Sequence, residues 1–537
     1  MQTASIHILD DDSLLNIFHL YRPANIFDGK RHDNDNDEED GEEDEEDRDY
    51  GGALNPRIPE QWWYKLAQVC QRWQKILLGS ASYLDLCLIC TYGTPVADML
   101  AHSPPLPLVI DFFHVHWGIT TEDEEGVILA LERRDRVRLL IPARNMRNLI
   151  TSIEGEFPAL ECLIMRLDDV NTAYDMPGLQ APHLRNLILK GFVLPLRSPL
   201  LATAVGLVTL GLDMFRNDYF RPNILLQILQ SISSLSQLET LFLFLPRRNV
   251  GVAPTPVTQR VALPNLRRLV IEGVSEFIEG VICRIATPLL ETLDIRFSGG
   301  ELMSTVQVPS LFQFVNATES LKFGCAKFEL REKSICVDLY PRKEAKTYSL
   351  SICVLAAGND LYWQISSLAQ IFNSFNDSSQ LFSTVEHLTI QVEHRVHHST
   401  SETYDTRYGD DDLTQWRKLL RPFSNAKTLH VDEGFAREFF GTFPLESAED
   451  GDLALELLPR LEELTYHVWP RSDDTAFTSS IDGARQNAGR LVTLFYPRHI
   501  SLLSRSPTPL AVTPPLLVSS DVMAGSIETL AGSNLGT

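Results

Sequence analysis

The stretch "LPNLRRLVI" at residues 263–271 decides how this chain folds. It is a turn residue followed by Leu-x-x-Leu-x-apolar, and the same wording returns along the chain. Clear copies are "FPALECLIM" (157–165), "APHLRNLIL" (181–189), "LSQLETLFL" (235–243), "TPLLETLDI" (287–295) and "LPRLEELTY" (458–466). Weaker copies are "AVGLVTLGL", "TESLKF", "STVEHLTI" and "SNAKTLHV". The central positions fall at 163, 187, 210, 241, 269, 293, 321, 350, 388, 429 and 464. Most successive spacings lie between 23 and 31 residues, and they lengthen to between 35 and 41 after residue 350.

A repeat of this length and pattern is the signature of a leucine-rich-repeat array. Each unit would be a short strand and a return segment, able to bury its apolar side only against neighbouring units. The expected fold is therefore α/β, with an irregular solenoid over residues 83–497 built on a curved parallel sheet. The long late spacings predict inserted loops, such as "HRVHHSTSETYDTRYGDDD" at 394–412. Side chains alternate across a strand, so the residue after each central leucine should stand on the opposite face. That row begins with Ile164, Ile188, Gly211, Phe242, Val270, Asp294 and Lys322, with Phe244 in the next outward row. Its first half is apolar and its second half polar. Contiguous apolar surface marks interaction sites, so these residues, Gly211 apart, are the candidate substrate-binding set.

The 537 residues carry a formal charge of −24 and are 44% hydrophobic. So acidic a chain lacks the clustered Lys and Arg that phosphate contacts need, which argues against nucleic acid as a partner. Half of the charge lies in "DNDNDEEDGEEDEEDRD" (33–49), which predicts a disordered loop over about residues 31–55. A Ser/Thr/Pro-rich tail at 498–537 is expected to be disordered as well. No signal peptide is recognisable, and no apolar run approaches the roughly 18 residues of a membrane span. The expectation is a cytoplasmic or nuclear protein with no membrane partner. Its 8 scattered cysteines would then be free thiols.

Chemistry is absent at the level of motifs. No phosphate-binding loop, nucleophile elbow or zinc-binding helix is present. Cys87 and Cys90 form the one C-x-x-C and lie inside an apolar strand-like run. His394, His397 and His398 fall in a polar insertion. The sequence points to a chain that is no enzyme, with no cofactor and no metal site.

The N-terminal region has a different texture. Residues 9–21, "LDDDSLLNIFHLY", predict a short helix favoured by Asp11 and Asp12 at its start, with Leu14, Ile17 and Phe18 on one face. In "LAQVCQRWQKI" (66–76), Leu66, Val69, Cys70 and Trp73 follow i, i+3, i+4, i+7 spacing, which predicts one amphipathic helix. Together these segments, with the leucine-rich region behind them, resemble the F-box family as expanded in mushroom-forming fungi. The resemblance implies a helical F-box over residues 6–82, split by the acidic loop. It implies docking on a Skp-type adaptor through Leu14, Leu15, Ile17, Phe18, Leu66, Val69, Cys70 and Trp73. The chain would then serve as substrate receptor of a Skp–cullin–F-box ubiquitin ligase. A leucine-rich interaction scaffold that binds no adaptor is the alternative. The family's usual proline after the first leucine is missing, since Asp10 follows Leu9.

Overall fold

A computed structural model describes residues 9–22, 62–112, 119–143, 149, 152–167, 174–175, 178–193, 198–214, 222–246, 260–298, 308–331, 334–355, 361–376, 381–392, 410–431, 458–467 and 491–495. The acidic run, the three histidines at 394–398 and the C-terminal tail lie outside these residues. The chain is mixed α/β, with a large and mostly parallel sheet.

Among the described residues three helices come first: α1 (Asp11–Tyr21), α2 (Trp62–Ala67) and α3 (Gln71–Gly79). Then follow β1 (Leu88–Cys90), α4 (Val96–His102), β2 (Leu108–Asp111), α5 (Thr121–Leu131), β3 (Val137–Ile141), β4 (Cys162–Arg166) and β5 (Asn186–Lys190). Next are α6 (Pro199–Thr203), β6 (Thr209–Asp213), α7 (Pro222–Ile232), β7 (Thr240–Phe244), β8 (Arg268–Gly273), α8 (Ser275–Ile282), β9 (Thr292–Ser298) and α9 (Pro309–Ala317). The C-terminal part holds β10 (Cys325–Arg331), β11 (Ser334–Tyr340), β12 (Leu350–Leu355), α10 (Leu361–Asn376), β13 (His387–Val392), α11 (Asp410–Leu420), β14 (Thr428–Val431), β15 (Glu463–His467) and β16 (Leu491–Phe495).

All these strands join one 16-stranded sheet. Its spatial order follows the chain from β1 to β9 and from β13 to β16. Between those runs the order is β12, β11, β10. The β9–β12 and β10–β13 pairs are parallel, whereas β11 runs antiparallel to both of its neighbours. After β9 the chain passes through α9 to a place two strands further on, and folds back. β10 ends at Arg331 and β11 starts at Ser334, a connection that only an antiparallel hairpin can use.

This excursion corrects the expected repeat at Leu321, which is buried but lies ahead of β10 and in no strand. The sheet position next to Leu293 is taken by Leu350 of β12. Residues 410–412, expected to be part of an inserted loop, begin α11 instead.

One row of residues crosses every strand in register. It runs Cys90, Ile110, Leu140, Leu163, Leu187, Leu210, Leu241, Leu269 and Leu293. It continues through Leu350, Leu339, Ala326, Leu388, Leu429, Leu464 and Val492. The described helices pack over this face, and their apolar residues join the row in one continuous core that reaches from Leu14 to Leu458. The turn ahead of each strand repeats as faithfully. Arg185 N donates to Glu161 O (2.8 Å), Val208 N to Arg185 O (2.8 Å), Glu239 N to Val208 O (2.9 Å), Arg267 N to Glu239 O (2.8 Å) and Glu291 N to Arg267 O (2.7 Å). Each unit thus satisfies a backbone acceptor of the unit before it, leaving few buried polar groups unpaired.

The row makes a direct prediction about stability. Truncating Leu269 to Ala should cost roughly 2–5 kcal/mol, because the cavity lies between two fixed strands and a helix. Truncating the exposed Arg267, whose guanidinium meets Glu291 at the surface, should cost no more than about 1 kcal/mol. Chemical denaturation of the two variants measures both.

Candidate functional site

The N-terminal helices are built differently from the expectation. Asp10, ahead of the two acidic residues of the first turn, caps α1: its Oδ1 accepts from the Ser13 backbone N–H at 2.6 Å. That hydrogen bond holds the Asp10 carboxyl below its ordinary range. Residues 66–76 are not one helix. α2 ends at Ala67, the chain turns through Gln68 and Val69, and extended Cys70 (φ −162°, ψ 164°) starts α3. The apolar spacing is real, but two short helices share it.

The break separates the residues expected to form one docking face. Leu14 and Phe18 are fully buried at the N-terminal end of the continuous core, with Trp63 and Leu77, so they correct the expectation of an adaptor-facing pair. Trp73 meets Phe18 edge-on, with ring centroids 5.0 Å apart. Leu15, Leu66 and Trp73 are half-buried and pack against that core, and Ile17 and Cys70 are also half-buried. Val69, at the tip of the turn, is 58% exposed.

What the apolar spacing did not reveal is how much apolar surface remains. α1 carries six large apolar side chains, Leu14, Leu15, Ile17, Phe18, Leu20 and Tyr21, and only Leu14 and Phe18 are buried. Leu20 is 83% exposed. Of the eight large apolar residues exposed among the described residues, five (Leu20, Tyr21, Tyr64, Val69 and Tyr83) precede the first strand. The signal was present in α1, since six such residues in three turns exceed what one helix face can bury.

This module is tied firmly to the sheet. Trp63 Nε1 donates to the β1-edge carbonyl of Cys87 at 3.1 Å. Arg22, just past α1, pairs with Asp85 at 2.9 Å, and Asp85 also receives Arg138 of β3. Arg138 Nε in turn approaches Glu161 at 3.0 Å. Burial works against the Arg138 charge, but Glu161 and Asp85 outweigh it and leave its pKa raised. On the exposed side Arg72 of α3 donates to Asp11 and to Leu9 O, each at 2.6 Å, fastening α3 to the start of α1.

The second face of the sheet carries the candidate substrate residues. In register it reads Ile164, Ile188, Gly211, Phe242, Val270 and Asp294. It continues Ser351, Asp338, Lys327, Thr389 and His430. An added Cβ at Gly211 would meet Ile188 at 3.3 Å, so Ile188 leans across the glycine. Ile164, Ile188, Phe242, Phe244 and Val270 form a second apolar cluster with Cys87, Ile89, Val109, Leu139, Ile141 and Cys162. The expectation of an open apolar face is not met. Phe242 and Phe244 are each only 4% exposed. Lys322 is exposed but lies off the sheet, and the register puts Lys327 in its place.

The polar half begins where Arg268 stacks over the Phe242 ring, 5.5 Å from its centroid. Buried Asp294 receives Arg296 at 3.2 Å and the Tyr348 hydroxyl at 3.1 Å. Two strands away, Asp338 accepts from Ser351 at 2.6 Å. Burial pushes the Asp338 carboxyl above its ordinary value, with Glu329 and Asp294 adding to the rise and Ser351 opposing it. Burial also drives the Tyr340 hydroxyl up to about 12, helped by Asp338 and Glu329.

Cysteine placement corrects one expectation. Cys336 and Cys353 are disulfide-bonded, because the β11–β12 hairpin sets them directly opposite each other. The other six are free. Cys87 and Cys90 face opposite sides of β1, so they cannot share a metal ion. Burial pushes their thiols up to about 11 and about 12.

No model of a known protein family matches the chain, and no curated protein matches it in sequence.

Two outcomes follow from this geometry. Phe242→Asp should lower the melting temperature sharply, because an unpaired carboxylate in that cluster costs several kcal/mol. Asp338→Asn should raise the melting temperature at neutral pH. The raised carboxyl pKa means that Asp338 contributes stability in acid, below its unfolded value of 3.8, and loses it as pH rises through the folded value. The gain should therefore vanish in acid, which thermal melts across that pH range will show.

Proposed function

We propose that the chain is a substrate-recognition subunit of a Skp–cullin–F-box type ubiquitin ligase. In this reading α1–α3 dock the Skp-type adaptor, the adaptor joins the cullin scaffold, and the sheet region holds a target protein. One observation carries it: α1 buries Leu14 and Phe18 in the core, half-buries Leu15 and Ile17, and leaves Leu20 and Tyr21 exposed. Exposed apolar surface of that kind marks an association site. Val69 and Tyr64 add to it from the α2–α3 corner.

Arg22, Asp85 and Arg138 support the same reading, since they hold the helical module against the first strands of the sheet. A target held on the sheet would then keep a defined position relative to the adaptor. The buried apolar half of the second face offers no room for one. The polar half does, through half-exposed Lys327, Glu329, Gln391 and His430 with Arg331 beside them. The complex would work in the cytoplasm or the nucleus.

The test is adaptor pull-down by the full-length chain. The double variant Leu20→Arg, Val69→Arg should keep its melting temperature and lose the adaptor, because both side chains already face water. Val205→Arg, at a comparably exposed apolar position in the turn between α6 and β6, should retain it. Unchanged pull-down by the double variant would sink the assignment and leave the adaptor-independent scaffold in its place.

A further inference from the structure

We infer that Thr240, Arg268 and Thr292 form a carboxylate-binding site on the second face of the sheet, which takes one Asp or Glu side chain from an extended target segment with uncharged neighbours. The inference rests on the reading of the sheet as the part that holds a target, and not on adaptor docking.

The backbone brings the three residues together. β7, β8 and β9 are consecutive in the sheet, and their register sets Thr240 opposite Arg268 and Arg268 opposite Thr292. Each residue precedes the central leucine of its strand, so all three stand on the face away from the leucines. All three are half-buried. Neighbouring strands lie about 4.8 Å apart, so a threonine flanks the arginine at one strand's distance on either side.

Arg268 is left without a counter-charge. On the same face Arg296 pairs with Asp294 and Arg331 with Glu329. Arg267, next in the chain, meets Glu291 at the surface. Among the described residues no carboxylate or carbonyl meets Arg268. Asp294, one strand away, is engaged by Arg296 and by the Tyr348 hydroxyl.

The guanidinium is also held in place. It stacks over the Phe242 ring, 5.5 Å from the centroid, and its Nε is buried without an acceptor. Nη1 and Nη2 have no partner either, yet they are not buried, and the same holds for the Thr240 and Thr292 hydroxyls. A planar guanidinium fixed on an aromatic ring presents parallel donors at the spacing a carboxylate accepts. The two hydroxyls can then bond the lone pairs that remain or the backbone beside the bound residue.

Charge and layout narrow the ligand. One unpaired guanidinium matches one negative charge, and the chain's net −24 opposes a dianion or a run of acidic residues. Half-buried polar residues continue the row on both sides. Thr209 lies beyond Thr240, and Tyr340, His387 and Thr428 lie further along past Thr292. A segment crossing the site therefore has polar side chains under it in both directions. This places the carboxylate on a side chain within the segment and not at a chain end.

The experiment selects binders to the full-length chain from a random-peptide display library whose C-termini are fused and carry no free carboxylate. The expected peptides share one Asp or Glu at a fixed position with uncharged neighbours. Fluorescence anisotropy then follows the best sequence as a labelled synthetic peptide. Replacing its acidic residue with the matching amide should weaken binding roughly tenfold or more. Arg268→Met, which keeps an apolar stem over Phe242, should cause the same loss, and Thr240→Val and Thr292→Val roughly threefold each. A selection that enriches no acidic position overturns the inference, as does equal binding of the amide peptide. Tighter binding with phosphoserine in place of the acidic residue overturns the assignment of a single charge. Should Arg268→Met fail to fold, the peptide substitution against the unaltered chain decides alone. Adaptor pull-down by Arg268→Met should be unchanged, so failed selection beside intact pull-down removes this site and leaves the adaptor reading standing.

Discussion

Each strand of the sheet can bury its central leucine only between the leucines of the two strands beside it. That constraint organises the molecule. Leu241 is covered by Leu210 and Leu269, Leu269 by Leu241 and Leu293, and so on along the row. Most strands are linked by return segments that place the next strand parallel and adjacent, so spatial order follows chain order. The one departure obeys the same rule. When the chain skips two places after β9, the meander that fills them supplies Leu350, Leu339 and Ala326 at the row position, and the row is unbroken. At the start of the sheet, where no described strand precedes β1, Trp63 donates to the carbonyl of Cys87 at that edge.

The second face is a consequence of the first. Because side chains alternate along a strand, the register that stacks the leucines also stacks the residues beside them. Apolar residues there gather into one buried cluster from Cys87 to Val270. Charged and hydroxyl residues gather beyond it, where Asp294, Arg296, Tyr348, Ser351 and Asp338 hold one another. The disulfide lies within this polar half, one row over from Asp338, so it shares the environment that raises the Asp338 carboxyl. The functional division of the chain is thus end against middle. The helical end exposes apolar surface, and the far half of the sheet presents polar side chains.

Much of this was legible in the sequence, for a physical reason. Leu-x-x-Leu-x-apolar fixes both period and face, so the spacing alone places Leu163, Leu187, Leu210, Leu241, Leu269 and Leu293 on one row. The division of the second face into an apolar and a polar half was equally visible. What failed was whatever depends on distant contacts. Spacing cannot tell one helix from two short ones, so the break at Val69–Cys70 was hidden, and with it the inward turn of Leu14 and Phe18. The match at Leu321 satisfied the local pattern without reaching the sheet, and this moved Lys322 into a place that Lys327 holds. Alternation gives the side of a strand but not its cover, so buried Phe242 and Phe244 read as exposed. Cys336 and Cys353 looked like scattered core thiols until the antiparallel hairpin brought them together.

The central claim is that apolar residues left uncovered on the N-terminal helices receive a partner while the sheet stays free. Amide hydrogen exchange on the full-length chain, with and without purified Skp-type adaptor, tests it most directly. The account predicts slowed exchange confined to residues 11–21 and 62–79, with the strands from β4 to β14 unchanged. Slowing spread over those strands, or no slowing anywhere at saturating adaptor, would contradict it.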